Sequence, residues 1–444
     1  MNIRRRAILA PCFNIVSKGK IMHRRLKLRA ASILLATLVA VPAVKAEPVQ
    51  AVDLMEGFPP KPEAVVTAAR WRTPPYNVWA FQNVERIVPT RTLFRGHGPA
   101  SALPTADKRL IRLYRRAIVQ GGFDLPDYIK ANHVDAFLVL KGGKIVDEYY
   151  GNGQNPETRH IMMSVGKSYL GTVAALLVDE GALDDRRLAG DYVPELRGSA
   201  YGDATVRQVM DMLVAVDYSE AMDDPYSDVN QFLYVARLGS PPAGVSVKPG
   251  LYDFVRSLKK KGEHGQTYQY VTATSEALAW IVARATGKSW ADHLEERIFQ
   301  KLRPERDAFV IVDAMGTQTG AGGLAFTLRD VGRFAQMLAN NGRFNGQQIL
   351  PERVVAKIRA GGNPQHWHTY PWETGTNSYT SQWYVDTAAK IVRAMGIHGQ
   401  MIEIDYDNDQ VIVIQSSWPS AAPPDPGYWT RHYAFGRAVA AALR

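Results

Sequence analysis

Two hairpin signatures at opposite ends of the chain restrict its architecture more than any other feature. Ala136-Phe137-Leu138-Val139-Leu140 and Ile145-Val146-Asp147-Glu148-Tyr149-Tyr150 are rich in β-formers and flank Lys141-Gly142-Gly143-Lys144, whose glycine pair suits a tight turn. Far downstream, residues 400–405 and 410–415 flank Tyr406-Asp407-Asn408-Asp409 in the same manner. Between the hairpins, the pattern predicts helices over 205–213, 275–285 and 327–340, with a closing helix over 427–444. Strands at both ends with helices between predict an α/β (α+β) fold: one antiparallel sheet built from distant segments, flanking helices, and an inserted helical lobe over roughly residues 190–315. A binding cleft is expected between the lobes.

Charge separates the start of the chain from the rest. The sequence holds 53 basic and 43 acidic residues, a formal net charge of +10, but residues 1–46 carry ten of the basic residues and no acidic one. The remainder is formally neutral, which argues against a nucleic-acid partner. Arg24, Arg25, Lys27 and Arg29, the apolar run 30–43 and the small-residue site Val44-Lys45-Ala46 have the form of a secretory signal peptide, giving an expected mature start at Glu47. Met22, just before the basic region, is the expected true initiator. The apolar run is shorter than the roughly 20 residues a helical span requires, so no stable membrane span is expected after cleavage. Cys12, the single cysteine, lies in this leader, and an exported chain without thiols or disulfides suits a bacterial periplasm. An N-terminal extension over 47–130, entered through Pro59-Pro60-Lys61-Pro62, then precedes the main domain over 131–444.

The chemistry-bearing motif is Ser-x-x-Lys, which places a hydroxyl and an amine on one helical face and can make a nucleophile without histidine. It occurs three times: Ser17 to Lys20 in the leader, Ser257 to Lys260 in the charged run Ser257-Leu258-Lys259-Lys260-Lys261, and Ser164 to Lys167. Only Ser164 has an apolar approach and exit. Leu170, Val173, Ala174, Leu177 and Val178 follow at helical spacing, and Gly181 supplies a left-handed stop, so Ser164 opens a buried helix. The plainer alternative is that Ser164 caps this helix while Lys167 reaches out to water. A phosphate loop ending in Gly166-Lys167-Ser168 is excluded because position 161, where its first glycine belongs, is Ile161.

Further segments follow in a fixed order: Tyr201-Gly202-Asp203-Ala204-Thr205-Val206-Arg207-Gln208-Val209-Met210-Asp211-Met212, Asp224-Pro225-Tyr226-Ser227-Asp228, Gly322-Gly323-Leu324 with Thr327-Leu328-Arg329-Asp330, and Gly396-Ile397-His398-Gly399-Gln400. Together with Ser164-Val165-Gly166-Lys167 they resemble the serine β-lactamase and penicillin-recognising superfamily, its class C-like branch, and within it the 6-aminohexanoate-dimer hydrolase group. The likeness extends from Asp135 to the C-terminus. It implies a serine hydrolase that needs no metal and no cofactor and acts on a small-molecule ester or amide. It also implies Ser164 as nucleophile, Lys167 as its base, Tyr270 as the second-motif tyrosine with Tyr268 as competitor, and an oxyanion hole from the backbone N–H groups of Ser164 and Ile397.

Two departures from that family pattern bear on substrate. No Lys-Thr-Gly or His-Thr-Gly occurs, and the third-motif edge strand falls on Ala394-Met395-Gly396-Ile397, which argues against efficient β-lactam cleavage. Where the dimer-hydrolase group often has a tyrosine this chain has Met222, which places nylon-oligomer cleavage in doubt. Met222, Asp224 and His398 are candidate pocket residues; Asp224 reads equally as the start of a turn before Pro225, and His398 as structural. His366-Trp367-His368 reads as a loop more than a metal site. Trp367, Tyr370, Trp372, Tyr379, Trp383 and Tyr384 either wall the pocket or pack under a long loop. The expected activity is therefore periplasmic ester or amide hydrolysis, with a D-amino peptidase, a weak β-lactamase or a non-catalytic sensor domain as alternatives.

Overall fold

Residues 53–367, 377–421 and 427–444 are described by a computed structural model. The predicted signal peptide, Met22 and Cys12 lie outside the described residues, as do His368, Tyr370 and Trp372. In chain order the strands of the two larger sheets are β1 (Thr90–Leu93), β2 (Val134–Lys141), β3 (Lys144–Tyr150), β4 (Arg159–Ile161), β5 (Ala308–Ile311), β6 (Leu324–Thr327), β7 (Ser378–Thr380), β8 (Trp383–Asp386), β9 (Ile391–Gly396), β10 (Gln400–Asp405) and β11 (Gln410–Ser416). The helices that matter most for the site are α1 (Lys108–Gln120), α2 (Val165–Asp179), α3 (Thr274–Thr286), α4 (Leu328–Ala339) and α5 (Gly427–Ala442).

Seven strands form one antiparallel sheet in the order β7-β8-β9-β10-β11-β2-β3, so the two predicted hairpins meet where β11 pairs with β2. The β2–β3 turn is tight because Gly142 and Gly143 both take left-handed backbone angles, φ 55° and 72°. Strand β2 is buried along nearly its whole length because both faces are covered. Ala136, Leu138 and Leu140 share a core with Val331, Phe334 and Ala335 of α4, while Phe137 and Val139 pack with Tyr114 and Ile118 of α1 and Phe435 and Val439 of α5. A strand covered twice reads as an unbroken apolar run, which is how this segment appears in the sequence.

A second antiparallel sheet has the order β1-β5-β6-β4 and leads directly into the Ser164 segment. Its first strand comes from the region expected as an N-terminal extension, and that region is woven into the main body. Trp71 and Phe81 are buried, Ile161 N–H donates to Phe81 O at 2.9 Å, and Asn77 Nδ2 donates to the carbonyls of Ser417 and Trp418 at 2.9 and 3.1 Å. The described residues all belong to one compact unit. The inserted lobe likewise gives up its last residues, since β5 is sheet.

The predicted helices are present with shifted ends. The 205–213 helix is shortened to Val206–Met210, opened by a reciprocal Thr205/Gln208 cap and closed before Met212, whose φ is 56°. Helix α3 stops at Gly287, φ 71°, and α2 is followed by Gly181, φ 73°. Strand β9, expected at a sheet edge, is interior, with β8 on one side and β10 on the other. Its pairing with β8 ends at Arg393, however, so Ala394–Gly396 are bonded to β10 alone and keep one locally open side. Among the described residues no helix is long and apolar enough to cross a membrane.

Candidate active site

Strand β4 delivers the chain to Met162-Met163-Ser164, and α2 begins at the next residue. Met163 takes φ 47°, a left-handed conformation that costs a non-glycine residue about 1–2 kcal/mol and marks a turn imposed by its surroundings. Ser164 stands at the mouth of α2, partly exposed, and its side chain makes no capping bond. Its Oγ instead accepts from Lys167 Nζ at 2.9 Å. Lys167 does not reach water: it is 2% exposed, and Nζ also donates to Ala321 O at 2.7 Å. Burial in a low-dielectric setting brings the Lys167 amine down from 10.5 to about 7, against the opposing pull of Glu220 and Glu276. The capping-and-snorkelling alternative describes neither residue.

Two glycines explain how α2 sits so deeply. A Cβ at Gly171 would lie 1.9 Å from Ser381 O, so the helix can touch the β7–β8 turn only with hydrogen at that position. A Cβ at Gly166 would lie 3.3 Å from Gly322 Cα, which is why the Gly322-Gly323 segment can pass close to the helix mouth. Ser168 Oγ donates to Gln382 O at 2.7 Å and Trp383 Nε1 to Thr172 Oγ1 at 3.1 Å, fastening the same face of the helix.

Tyr270 places its ring centroid 5.2 Å from Lys167 Nζ and is partly buried. Tyr268 serves packing: it is 3% exposed, with ring centroids 4.9 Å from Trp367 and 5.0 Å from Tyr379. Of the aromatic residues expected to wall a pocket, Trp367, Tyr379 and Tyr384 pack against one another and Tyr268, and Trp383 is wholly buried against α2. The end of β9 abuts the Ser164 turn, because a Cβ at Gly396 would stand 2.7 Å from Met162 O and 3.1 Å from Met163 Cβ. Ile397 follows at once in a short 3-10 turn.

The three pocket candidates separate. Met222 is half-buried, and its carbonyl, like that of Asp224, accepts from Asn230 Nδ2, at 3.0 and 2.7 Å. Asp224 is exposed and its carboxylate accepts from Tyr226 N–H at 2.9 Å, the turn role that Pro225 suggested. His398 belongs to the core, correcting its place among pocket candidates. It is 2% exposed, its Nδ1 lies 2.8 Å from Trp418 O, its ring meets Phe81 edge-on at 5.0 Å, and burial lowers its pKa to about 3, keeping it neutral.

Sequence reading passed over two carboxylates. Glu220 Oε1 accepts from Thr272 N–H at 3.0 Å, and burial raises its pKa while Lys167 acts against that rise. Glu276, fully buried on α3, accepts from Thr319 Oγ1, Gly320 N–H and Ala321 N–H at 2.8, 2.8 and 2.9 Å. The available signal was helical position: Glu276 lies three residues after Ala273 and four before Trp280, on the apolar stripe of an otherwise ordinary helix. Among the described residues no group of three or more His, Cys, Asp or Glu is placed to hold a metal ion.

The beta-lactamase family profile matches residues 130–434. The chain belongs to the beta-lactamase family. Within that family it is a serine hydrolase of the amidase and esterase kind. This family member is 35% identical over 370 residues to the 6-aminohexanoate-dimer hydrolase of Paenarthrobacter ureafaciens, an alignment covering 82% of this chain and 90% of that one. A Bacillus anthracis structure described as a 6-aminohexanoate-dimer hydrolase superposes with a TM-score of 0.75 at 27% identity, covering 84% of this chain and 96% of the other. EstCE1, a hydrolase with promiscuous acyltransferase activity, superposes at 0.56 with 13% identity over 74% of this chain and all of its own, a likeness of fold alone.

Proposed function

We propose that this serine hydrolase cleaves a carboxylic ester or small amide in the bacterial periplasm, through an acyl-enzyme on Ser164. One observation carries the reading: a buried amine with a near-neutral pKa stands 2.9 Å from a partly exposed serine hydroxyl at a helix mouth. In its neutral form Lys167 takes the Ser164 proton, directly or through the Tyr270 phenol, as Oγ attacks the carbonyl carbon. The backbone N–H groups of Ser164 and Ile397 then meet the oxyanion, a donor of this kind being worth about 3 kcal/mol in the barrier. The N-terminus of α2 adds favourable partial charge. Tyr270 returns a proton to the departing alcohol or amine, and the same groups activate water to release the acid.

The relative acting on the 6-aminohexanoate dimer supports amide chemistry, whereas Met222 supports esters. A thioether cannot donate a hydrogen bond to a departing amine, and an amine needs such help more than an alcohol. Peptidase or β-lactamase activity is disfavoured because Ala394-Met395-Gly396 offers no cation for a substrate carboxylate. Export rests on the leader's basic, apolar and small-residue order, and N-terminal sequencing of secreted protein tests it.

The decisive experiment is intact-mass analysis after fluorophosphonate treatment of wild type, Ser164→Ala and Lys167→Ala, with p-nitrophenyl ester and nitrocefin turnover. Labelling of wild type alone, ester turnover and little nitrocefin cleavage are expected. Folded wild type that neither labels nor turns over would move the assignment to a binding or sensor domain.

A further inference from the structure

We propose that Glu276 is a positioning residue for the Ser164–Lys167 pair: its carboxylate pins the segment 319–321 so that Ala321 O holds Lys167 Nζ against Ser164 Oγ. The inference rests on the reading of Ser164 as nucleophile and Lys167 as its base.

The connection is short. Glu276 receives three hydrogen bonds, from Thr319 Oγ1, Gly320 N–H and Ala321 N–H, which fill most of the acceptor capacity of a carboxylate. Ala321 therefore gives its N–H to Glu276 and its carbonyl to Lys167, so one residue links the two side chains. The segment is also clamped laterally: a Cβ at Gly320 would lie 2.9 Å from Ser275 O on α3 and 3.0 Å from Leu170 Cδ2 on α2. A neutral amine has two N–H bonds and one lone pair. Committing an N–H to Ala321 O leaves the lone pair to be turned towards Ser164 Oγ, and a loosely held carbonyl would not fix that orientation.

Glu276 also acts through its field. Burial raises the Glu276 pKa, while the hydrogen bonds from Gly320 N–H, Ala321 N–H and Thr319 Oγ1 and the charge of Lys167 oppose that rise; two backbone N–H groups that can only donate favour the ionised carboxylate. Among the described residues no cation forms a salt bridge with it. Lys167 also feels Glu220 and stands over the Tyr270 ring, and Tyr201 and Tyr218 interact in turn with Glu220. Removing the Glu276 charge leaves the ammonium less stabilised, so the base titrates at lower pH. A carboxylate that merely ties α3 to a loop would leave the pH profile where it is.

The test is Glu276→Gln, read as kcat, KM and fluorophosphonate labelling rate across pH. The amide keeps the size but has one acceptor oxygen, and its NH2 group must face a backbone N–H. We expect kcat to fall on the order of 10- to 100-fold with KM little changed, the range for a misplaced reacting group, and the acid limb to move to lower pH. Thr319→Val, which keeps the charge and both backbone donors, is expected to lose less rate with the acid limb unmoved. Glu276→Asp is expected to retain the wild-type acid limb with part of the rate. Folded Glu276→Gln with wild-type kcat and acid limb overturns the proposal. If that variant does not fold, wild-type kcat in both Thr319→Val and Glu276→Asp overturns it. Wild type that fails to label, or Ser164→Ala that labels, removes the Ser164 reading itself, whereas normal labelling of Ser164 with an unaffected Glu276→Gln removes only the role of Glu276.

Discussion

Ser164–Lys167 and Ser257–Lys260 have the same two residue types at the same spacing, yet their surroundings make them different chemical objects. In the first, both residues belong to the start of one helix, Nζ lies 2.9 Å from Oγ, and the amine is walled off from water. In the second, Ser257 follows a short helix, Leu251–Val255, and donates to Phe254 O at 2.7 Å. Lys260 lies in a two-residue strand and donates to Asp203 at 2.7 Å. Three-residue spacing brings side chains together only on a continuous helix, and burial then decides whether the amine can be neutral. Burial pulls Lys167 down to about 7, whereas its hydrogen bond to Asp203 pushes Lys260 up.

The most severe way to break this contrast is Lys167→Arg, which keeps the cation and removes its ability to lose a proton. The expected fall in kcat/KM is about 10²- to 10⁴-fold, the usual worth of a general base, with an unchanged circular-dichroism spectrum. Next in size is the wild-type pH profile. If Lys167 is the base, as proposed, it works only when deprotonated; with its pKa lowered to about 7, ester kcat/KM should rise about tenfold per pH unit below that value and level off above it. A profile still rising at pH 9 would mean that burial has not released the proton. Gly171→Ala attacks the seat of the helix instead. Its added methyl meets Ser381 O, and urea titration should show a loss of about 1–3 kcal/mol from overpacking. Smallest is Lys260→Ala, for which unchanged turnover and melting temperature are expected, since a surface ion pair contributes little.

The same contrast shows what could be read in the letters. The hairpins were legible because their turns are local, and the Ser164 helix because its apolar spacing and Gly181 stop are local too. That one antiparallel sheet joins the two ends of the chain followed from those hairpins, but the interior position of β9 did not, since β7 and β8 are short strands in an aromatic-rich stretch. The entwining of residues 53–130 with the core was equally hidden, because Asn77 and Phe81 act through backbone partners more than 70 residues away. At the candidate site, Ser164 and Lys167 were singled out by their spacing within an apolar stretch and Tyr270 by family resemblance. Glu276 and Glu220 did not, as a single acidic letter carries no sign of what it faces. His398 was misleading for the opposite reason: it lies beside the oxyanion candidate in sequence, while its ring is turned into the core.

The pairing of β2 with β11 joins residues about 270 positions apart, from Lys141 against Gln410 onward. A ribosome that has finished the Ser164 helix has made none of the strand that must lie beside β2, so during most of synthesis this apolar edge has no native neighbour. Contacts of such long range form slowly, and an uncovered edge invites pairing with another chain. A stop codon placed anywhere before residue 410 would therefore do more than shorten the product: it would leave β2 without its β11 partner, with aggregation the expected fate of the fragment.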